Sequence, residues 1–185
     1  AADVVPAAIA AIDGDAVIGL TESELERIAN EPDPVRVAIS DLPIVETRKL
    51  TGGTNLGAVI HLAHRAGIKV CATTGLGGVH RASRRGSLIQ ESSDLMALST
   101  HPLVLVTSGV RPMLDVAATL ERLETMGIPV LGYRTLQFPS MYLAETGYEV
   151  DHRVESASEI ADIARARDEL NLSQSLVIAT PTPPD

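Results

Sequence analysis

The chain reads as an α/β protein, a three-layer α/β/α sandwich built around a mostly parallel sheet. Three observations predict this. Short apolar runs alternate with longer amphipathic segments through short connections, and that alternation is the pattern of strands crossing over through helices. Leu103-Val-Leu-Val-Thr107 is continuously apolar rather than alternating, as expected of a parallel strand buried on both faces. Finally, 185 residues suffice for one sizeable domain and are few for two, so residues 1–185 are taken as a single α/β domain.

In chain order, Pro6–Ala11 and Ala16–Gly19 read as strands joined by a hairpin turn at Asp13-Gly14. Thr21 caps the first helix, with Glu24 three residues on as its capping-box partner. Val35–Ile39 is a strand, and Asp41 starts a short helix. A turn at Thr51-Gly-Gly-Thr-Asn55 then opens a helix from about Thr54 to Ala66 that stops at Gly67. Strand Ile68–Ala72 leads into a second glycine-rich turn, Thr73-Thr-Gly-Leu-Gly-Gly-Val-His-Arg81. Beyond strand Leu103–Thr107, a helix spans Arg111–Thr125 and ends at Gly127. Strand Ile128–Gly132 follows, then irregular chain around Phe138–Tyr142. A helix at Ser156–Leu170, capped by Ser156 with Glu159 three residues on, precedes the last strand, Leu176–Ala179.

Composition narrows the function classes. Aromatic residues make up 2% of the chain, so the core is aliphatic and no stacking platform for bases exists. The formal net charge of −9 and the lack of a basic stripe argue against nucleic acid polymers and anionic membranes as partners. The single cysteine, Cys71, lies in an apolar strand and reads as a buried, reduced thiol suited to the cytoplasm. No apolar run reaches the roughly 20 residues of a membrane-spanning helix. Ala1-Ala-Asp-Val-Val5 lacks the features of a signal peptide. The chain begins without Met, as a fragment or processed product would.

Two glycine turns at strand–helix junctions carry the chemistry. Glycine lets backbone N–H groups approach a ligand closely, and helix N-termini favour anions. The basic cluster His80, Arg81, Arg84 and Arg85 follows the second turn. Together these features predict a pocket for a small phosphorylated molecule at the carboxyl ends of the strands, where Thr107-Ser-Gly109 and Tyr133-Arg-Thr135 also fall.

The chain resembles the pseudouridine-5′-phosphate glycosidase family, also called pseudouridylate synthases, which includes indigoidine-cluster protein A. The resemblance rests on Gly19-Leu-Thr-Glu-Ser-Glu-Leu-Glu26, Asp41-Leu-Pro43, Leu50-Thr-Gly-Gly-Thr54 and Gly75-Leu-Gly-Gly-Val-His-Arg81. It continues through Ser93-Asp-Leu95, Leu120-Glu-Arg-Leu-Glu-Thr-Met-Gly-Ile-Pro-Val-Leu-Gly-Tyr133 and Phe138-Pro139. It implies a C-glycosidase that reversibly splits pseudouridine 5′-phosphate into uracil and ribose 5-phosphate, with Mn²⁺ nearby and a trimeric assembly. It also implies an imine-forming lysine, a second substrate-binding lysine and a proton-donating glutamate. Here the imine-forming position holds Arg111, the second lysine position Arg36, and the metal-side aspartate position Gln90. The glutamate would precede residue 1, and the family's C-terminal helical part is not matched. The resemblance retains Gly52, Gly53, Thr54 and Leu56, the substrate-contact segment Ser92-Ser93-Asp94, and His80 and Arg81 of the glycine loop as contacts to a phosphorylated ligand.

Arginine keeps its proton and forms no useful imine, yet it holds phosphate bidentately. Two lysine-to-arginine differences therefore preserve positive charge while removing the covalent step. Two functions follow: a glycosidase of this family, or a binding paralogue without turnover. Of 15 Lys and Arg residues only Lys49 and Lys69 are lysines. Lys49 reads either as a relocated nucleophile reaching the pocket or as a solvated loop lysine. Asp94 reads as a ligand to substrate or metal, or as an ordinary first-turn helix aspartate. His61 and His64 share one helix at a chelating spacing, and the sequence offers no evident third ligand.

Overall fold

The structure, a computed structural model, describes residues 4–81 and 90–181. Its nine strands are β1 (Ile9–Ile12), β2 (Asp15–Ile18), β3 (Val35–Val37), β4 (Gly52–Thr54), β5 (Val70–Thr73), β6 (Val104–Thr107), β7 (Val130–Tyr133), β8 (His152–Val154) and β9 (Leu176–Ala179). Six α-helices are interleaved: α1 (Glu22–Ala29), α2 (Leu42–Arg48), α3 (Leu56–Arg65), α4 (Ser93–Thr100), α5 (Val116–Thr125) and α6 (Ala157–Glu169).

The strands divide between two sheets, where the sequence reading expected one. The second sheet, in the order β5-β6-β9-β7-β8, is parallel throughout. The first has the order β2-β1-β4-β3, with β1 antiparallel to both neighbours and only β3–β4 parallel. The hairpin read from the sequence accounts for the β1–β2 pair. Asp13 (φ 51°) and Gly14 (φ 90°) adopt the paired left-handed conformations of a two-residue turn, which reverses the chain and commits β1 to antiparallel pairing.

The second sheet is covered on both faces. Leu105 and Val177 point into a large core with Ile60 of α3, Leu95 and Leu98 of α4, and Leu123 of α5. The alternate residues Val104, Leu176 and Ile178 face the opposite way, against Ile160 and Ile163 of α6. This is the three-layer arrangement expected of a doubly covered parallel sheet. In the first sheet Ala11 and Val37 pack on Val45 of α2.

Local capping follows the sequence closely. Thr21 and Glu24 form the reciprocal capping box of α1, and the Ser156 hydroxyl accepts from Glu159 N at 3.2 Å. The Glu159 carboxylate accepts instead from Glu155 N, at 2.8 Å, one residue outside the expected box. The helix predicted from Arg111 begins only at Val116, because Asp115 is its N-cap and accepts from Ala118 N. Residues 111–114 form a turn that the site below uses.

The Gly52-Gly53 turn is also corrected: these residues are the strand β4, flanked on both sides. A side-chain carbon on Gly52 would lie 1.9 Å from the Val35 carbonyl oxygen, whereas one on Gly53 would meet nothing within 4 Å. Gly52→Ala is therefore expected to destabilise the fold by about 3 kcal/mol, the upper range for overpacking. Gly53→Ala is expected to stay within about 0.5 kcal/mol of the parent, both read by urea unfolding.

Candidate phosphate pocket and its support

The glycine-rich loop leaves β5 and runs back along the loop that leaves β6. Leu76 N donates to the Gly109 carbonyl at 2.8 Å, Arg111 N to Leu76 O at 3.2 Å, and Asp115 N to Val79 O at 2.9 Å. Glycine is required where these strips meet other elements. Side-chain carbons at Gly77 and Gly78 would stand 2.3 Å from the Ser92 and Thr119 hydroxyl oxygens respectively. Gly109, at φ 95°, passes so close to the Pro139 carbonyl that an added carbon would lie 1.8 Å from its oxygen.

Asp94 holds this loop to the rest of the molecule. Its side chain is 1% exposed, and its two carboxylate oxygens accept from Gly57 N at 2.9 Å and Gly77 N at 3.1 Å. Beside it, Asn55 Nδ2 donates to the Ser93 hydroxyl at 3.3 Å, and the Ser92 hydroxyl caps α4 by accepting from Asp94 N at 3.2 Å. The N-termini of α3 and α4 thus meet at one point. There the structure brings together Leu56, Ser92, Ser93 and Asp94, with Thr54 at the end of β4 just before.

Arg81 and Arg111 lie on the other side of the loop. They line a cavity of about 400 Å³ whose walls include Asp115, Ser140, Thr146 and Tyr148. Arg111 is half-buried, with its Nε donating to the Gly75 carbonyl at 3.3 Å. Arg81 Nε donates to the Leu114 carbonyl, also at 3.3 Å. One N–H of each guanidinium is thereby tied to the backbone, which fixes the orientation of two planar, permanently charged groups. A larger groove of about 740 Å³ lies between α5 and α6 toward the amino ends of β7 and β9. Its walls are mainly aliphatic, including Leu120, Ile163 and Leu176, and its one arginine, Arg167, is already engaged by the Leu103 carbonyl and the Asp168 carboxylate.

The remaining expected site residues are dispersed. Exposed Arg36 pairs in register with Gly53 on the outer strand of the first sheet and is not among the residues that line this cavity. Lys49, expected to reach the pocket, sits in the left-handed cap after α2. Its side chain lies against Gly14 of the β1–β2 turn, beside Asp13. His80 is exposed, and its backbone N–H donates to the Gln90 carbonyl at 2.9 Å. Arg134 points over the Tyr133 ring and donates to Glu155 O, outside the cavity. Arg84 and Arg85 lie outside the described residues. Sequence reasoning missed Ser140, Thr146 and Tyr148, because the irregular segment after Phe138 carries no periodic signal.

The donors carried over for Mn²⁺ do not fit that ion in this arrangement. Gln90 is an exposed neutral amide, and both Asp94 oxygens are engaged by backbone N–H groups. Among the described residues no group of three or more His, Cys, Asp and Glu side chains is arranged to hold a metal ion. Cys71 is buried, which pushes its thiol pKa up. No described helix is long and apolar enough to cross a membrane.

Thr119, fully buried, joins the loop to α5: its hydroxyl accepts from Val79 N at 3.0 Å and donates to Asp115 O at 2.6 Å. Thr119→Val leaves the buried Val79 N–H without an acceptor. The expected loss is about 2 kcal/mol, read by urea unfolding and accompanied by faster amide exchange at Val79.

Comparison with known proteins gives the family and the fold. The sequence matches the model of the indigoidine synthase A-like protein family over residues 1–185. A pseudouridine-5′-phosphate glycosidase of Saccharopolyspora erythraea is 45% identical over 184 residues, covering 100% of this chain and 60% of that protein. One from Frankia alni is 45% identical over 98% of this chain and 50% of its own length. The chain thus spans half to three-fifths of these curated relatives. Among solved structures, an indigoidine synthase A-like protein from Thermotoga maritima superposes with a TM-score of 0.89 at 36% identity, covering 96% of this chain and 58% of that one. The prealnumycin C-glycosynthase AlnA, solved with ribulose 5-phosphate, gives 0.88 at 32% identity over the same shares. By its full-length match and by these relatives, the chain belongs to the indigoidine synthase A-like family.

Proposed function

We propose that this chain builds the sugar-phosphate pocket of a pseudouridine-5′-phosphate glycosidase, an enzyme that reversibly splits pseudouridine 5′-phosphate into uracil and ribose 5-phosphate. One observation carries the reading. Two guanidinium groups, Arg81 and Arg111, share a cavity with the Ser140 and Thr146 hydroxyls at the carboxyl end of a parallel sheet. Forked donors of fixed charge suit the terminal oxygens of a phosphate, and hydroxyls suit a sugar. The names of the 45%-identical relatives and the ribulose 5-phosphate held by AlnA support the same ligand class.

A second reading, binding without turnover, is favoured by Arg111. Cleaving a C–C bond through an imine needs a neutral amine as nucleophile, and a guanidinium with a pKa above about 12 does not supply one. Lys49, the other amine considered, lies at the β1–β2 turn. The residues here bind and orient the phosphorylated sugar; the first reading needs an amine from elsewhere in the assembled protein.

The test is ribose 5-phosphate binding together with uracil release from pseudouridine 5′-phosphate, with and without Mn²⁺. Both readings predict binding that falls at least tenfold in Arg81→Ala. Uracil release by the parent supports the glycosidase. Binding without release, joined by borohydride-trapped ribose 5-phosphate on Arg111→Lys but not on the parent, supports the second reading. Absence of binding contradicts both.

A further inference from the structure

The cavity that holds Arg81 and Arg111 also carries acid. Asp115 and Glu145 both line it, and the two carboxylates differ in what already occupies them. Asp115 is committed to α5, whose first turn it caps by accepting from Ala118 N at 3.0 Å. Glu145 has no comparable commitment. Among the described residues it forms no ion pair, so neither guanidinium neutralises it.

The backbone around Glu145 is nevertheless held in place. It belongs to the irregular segment between β7 and β8, which is fastened to the loop after β6. Met141 N donates to the Val110 carbonyl at 3.1 Å, and Ser140 and Leu143 exchange backbone bonds of 2.9 and 3.0 Å. On the other side the Thr146 hydroxyl donates to the carbonyl of Phe138, a fully buried residue. Phe138 N donates in turn to Tyr148 O at 2.8 Å. Anchored positions 143 and 146 thus bracket Glu145. Its side chain is exposed, whereas Arg111 and Thr146 are half-buried and Ser140 is buried, so Glu145 stands where the cavity opens to solvent.

Two fixed cations and one unneutralised carboxylate in a single cavity suit a ligand with an anionic part and a separate O–H donor part. The carboxylate repels a phosphate and leaves it to the arginines. Its two oxygens, side by side, match two adjacent hydroxyls, and each O–H···O⁻ bond so formed is short and charge-assisted. We propose that Glu145 selects the sugar: its carboxylate accepts from a vicinal diol of the molecule whose phosphate Arg81 and Arg111 hold. This rests on the sugar-phosphate reading above and narrows it, from phosphorylated sugars in general to those with adjacent hydroxyls. A 2-deoxy sugar offers one hydroxyl of the pair and leaves the second carboxylate oxygen to water.

The probes are ribose 5-phosphate and 2-deoxyribose 5-phosphate, titrated by calorimetry into the parent, Glu145→Ala and Arg81→Ala. The parent is expected to bind ribose 5-phosphate about tenfold more tightly than the 2-deoxy sugar, the worth of one hydrogen bond to a charged group. In Glu145→Ala the two sugars are expected to bind equally. In Arg81→Ala both weaken alike and the preference stays, because Arg81 acts on the phosphate that they share. Glu145 is exposed, so its side chain can be removed without unfolding the chain, which circular dichroism checks; a merely structural loss would weaken both sugars and keep their ratio. A preference that persists in Glu145→Ala, or no preference in the parent, overturns the role of Glu145 and leaves the sugar-phosphate reading intact. Absence of ribose 5-phosphate binding by the parent overturns that reading and this inference with it.

Discussion

The buried carboxylate of Asp94 is the interaction on which the rest of the site depends. A carboxylate 1% exposed costs several kcal/mol in lost hydration unless its lone pairs are met by donors. Here two backbone N–H groups meet them, one from the first turn of α3 and one from the glycine loop. The positive ends of the α3 and α4 dipoles add to the compensation. The two donors come from different parts of the fold: α3 follows β4 of the first sheet, and the loop follows β5 of the second. One side chain therefore ties the two sheets together and fixes the loop that shapes the cavity lined by Arg81 and Arg111.

With the loop fixed, the pocket follows from packing. The loop can lie flat on the neighbouring elements only because Gly77 and Gly78 leave room for Ser92 and Thr119. That contact sets the carbonyls of Gly75 and Leu114 where they orient Arg111 and Arg81. The same arrangement bears on chemistry. A lysine at position 111 would bring a flexible amine able to lose its proton when desolvated, whereas arginine brings a fixed charge that keeps its proton. For the ligand proposed above, the difference would separate holding a phosphorylated sugar from forming a covalent bond with it.

Much of this was legible in the residues, and what was not has identifiable causes. Periodicity placed the central parallel strands, and capping chemistry placed α1 and α6, because both are local. The division into two sheets was hidden, because strand runs do not reveal their partners: the Asp13-Gly14 hairpin is local and legible, but the pairing of β1 with β4 rather than with the parallel strands is a tertiary choice. Gly52-Gly53 resembled a phosphate turn because glycine marks close backbone approach, and here the approaching group is the Val35 backbone rather than a ligand. Asp94 stood out as a site residue, but its partners are backbone N–H groups, which leave no mark in a side-chain sequence.

The most direct test is the stability of Asp94→Asn by urea unfolding. Asparagine keeps the shape but turns an N–H donor toward one of the two backbone N–H groups and removes the charge. The predicted loss is about 3 kcal/mol, with faster amide exchange at both Gly57 and Gly77. A variant as stable as the parent, with unchanged exchange at those two glycines, would contradict the role given to Asp94.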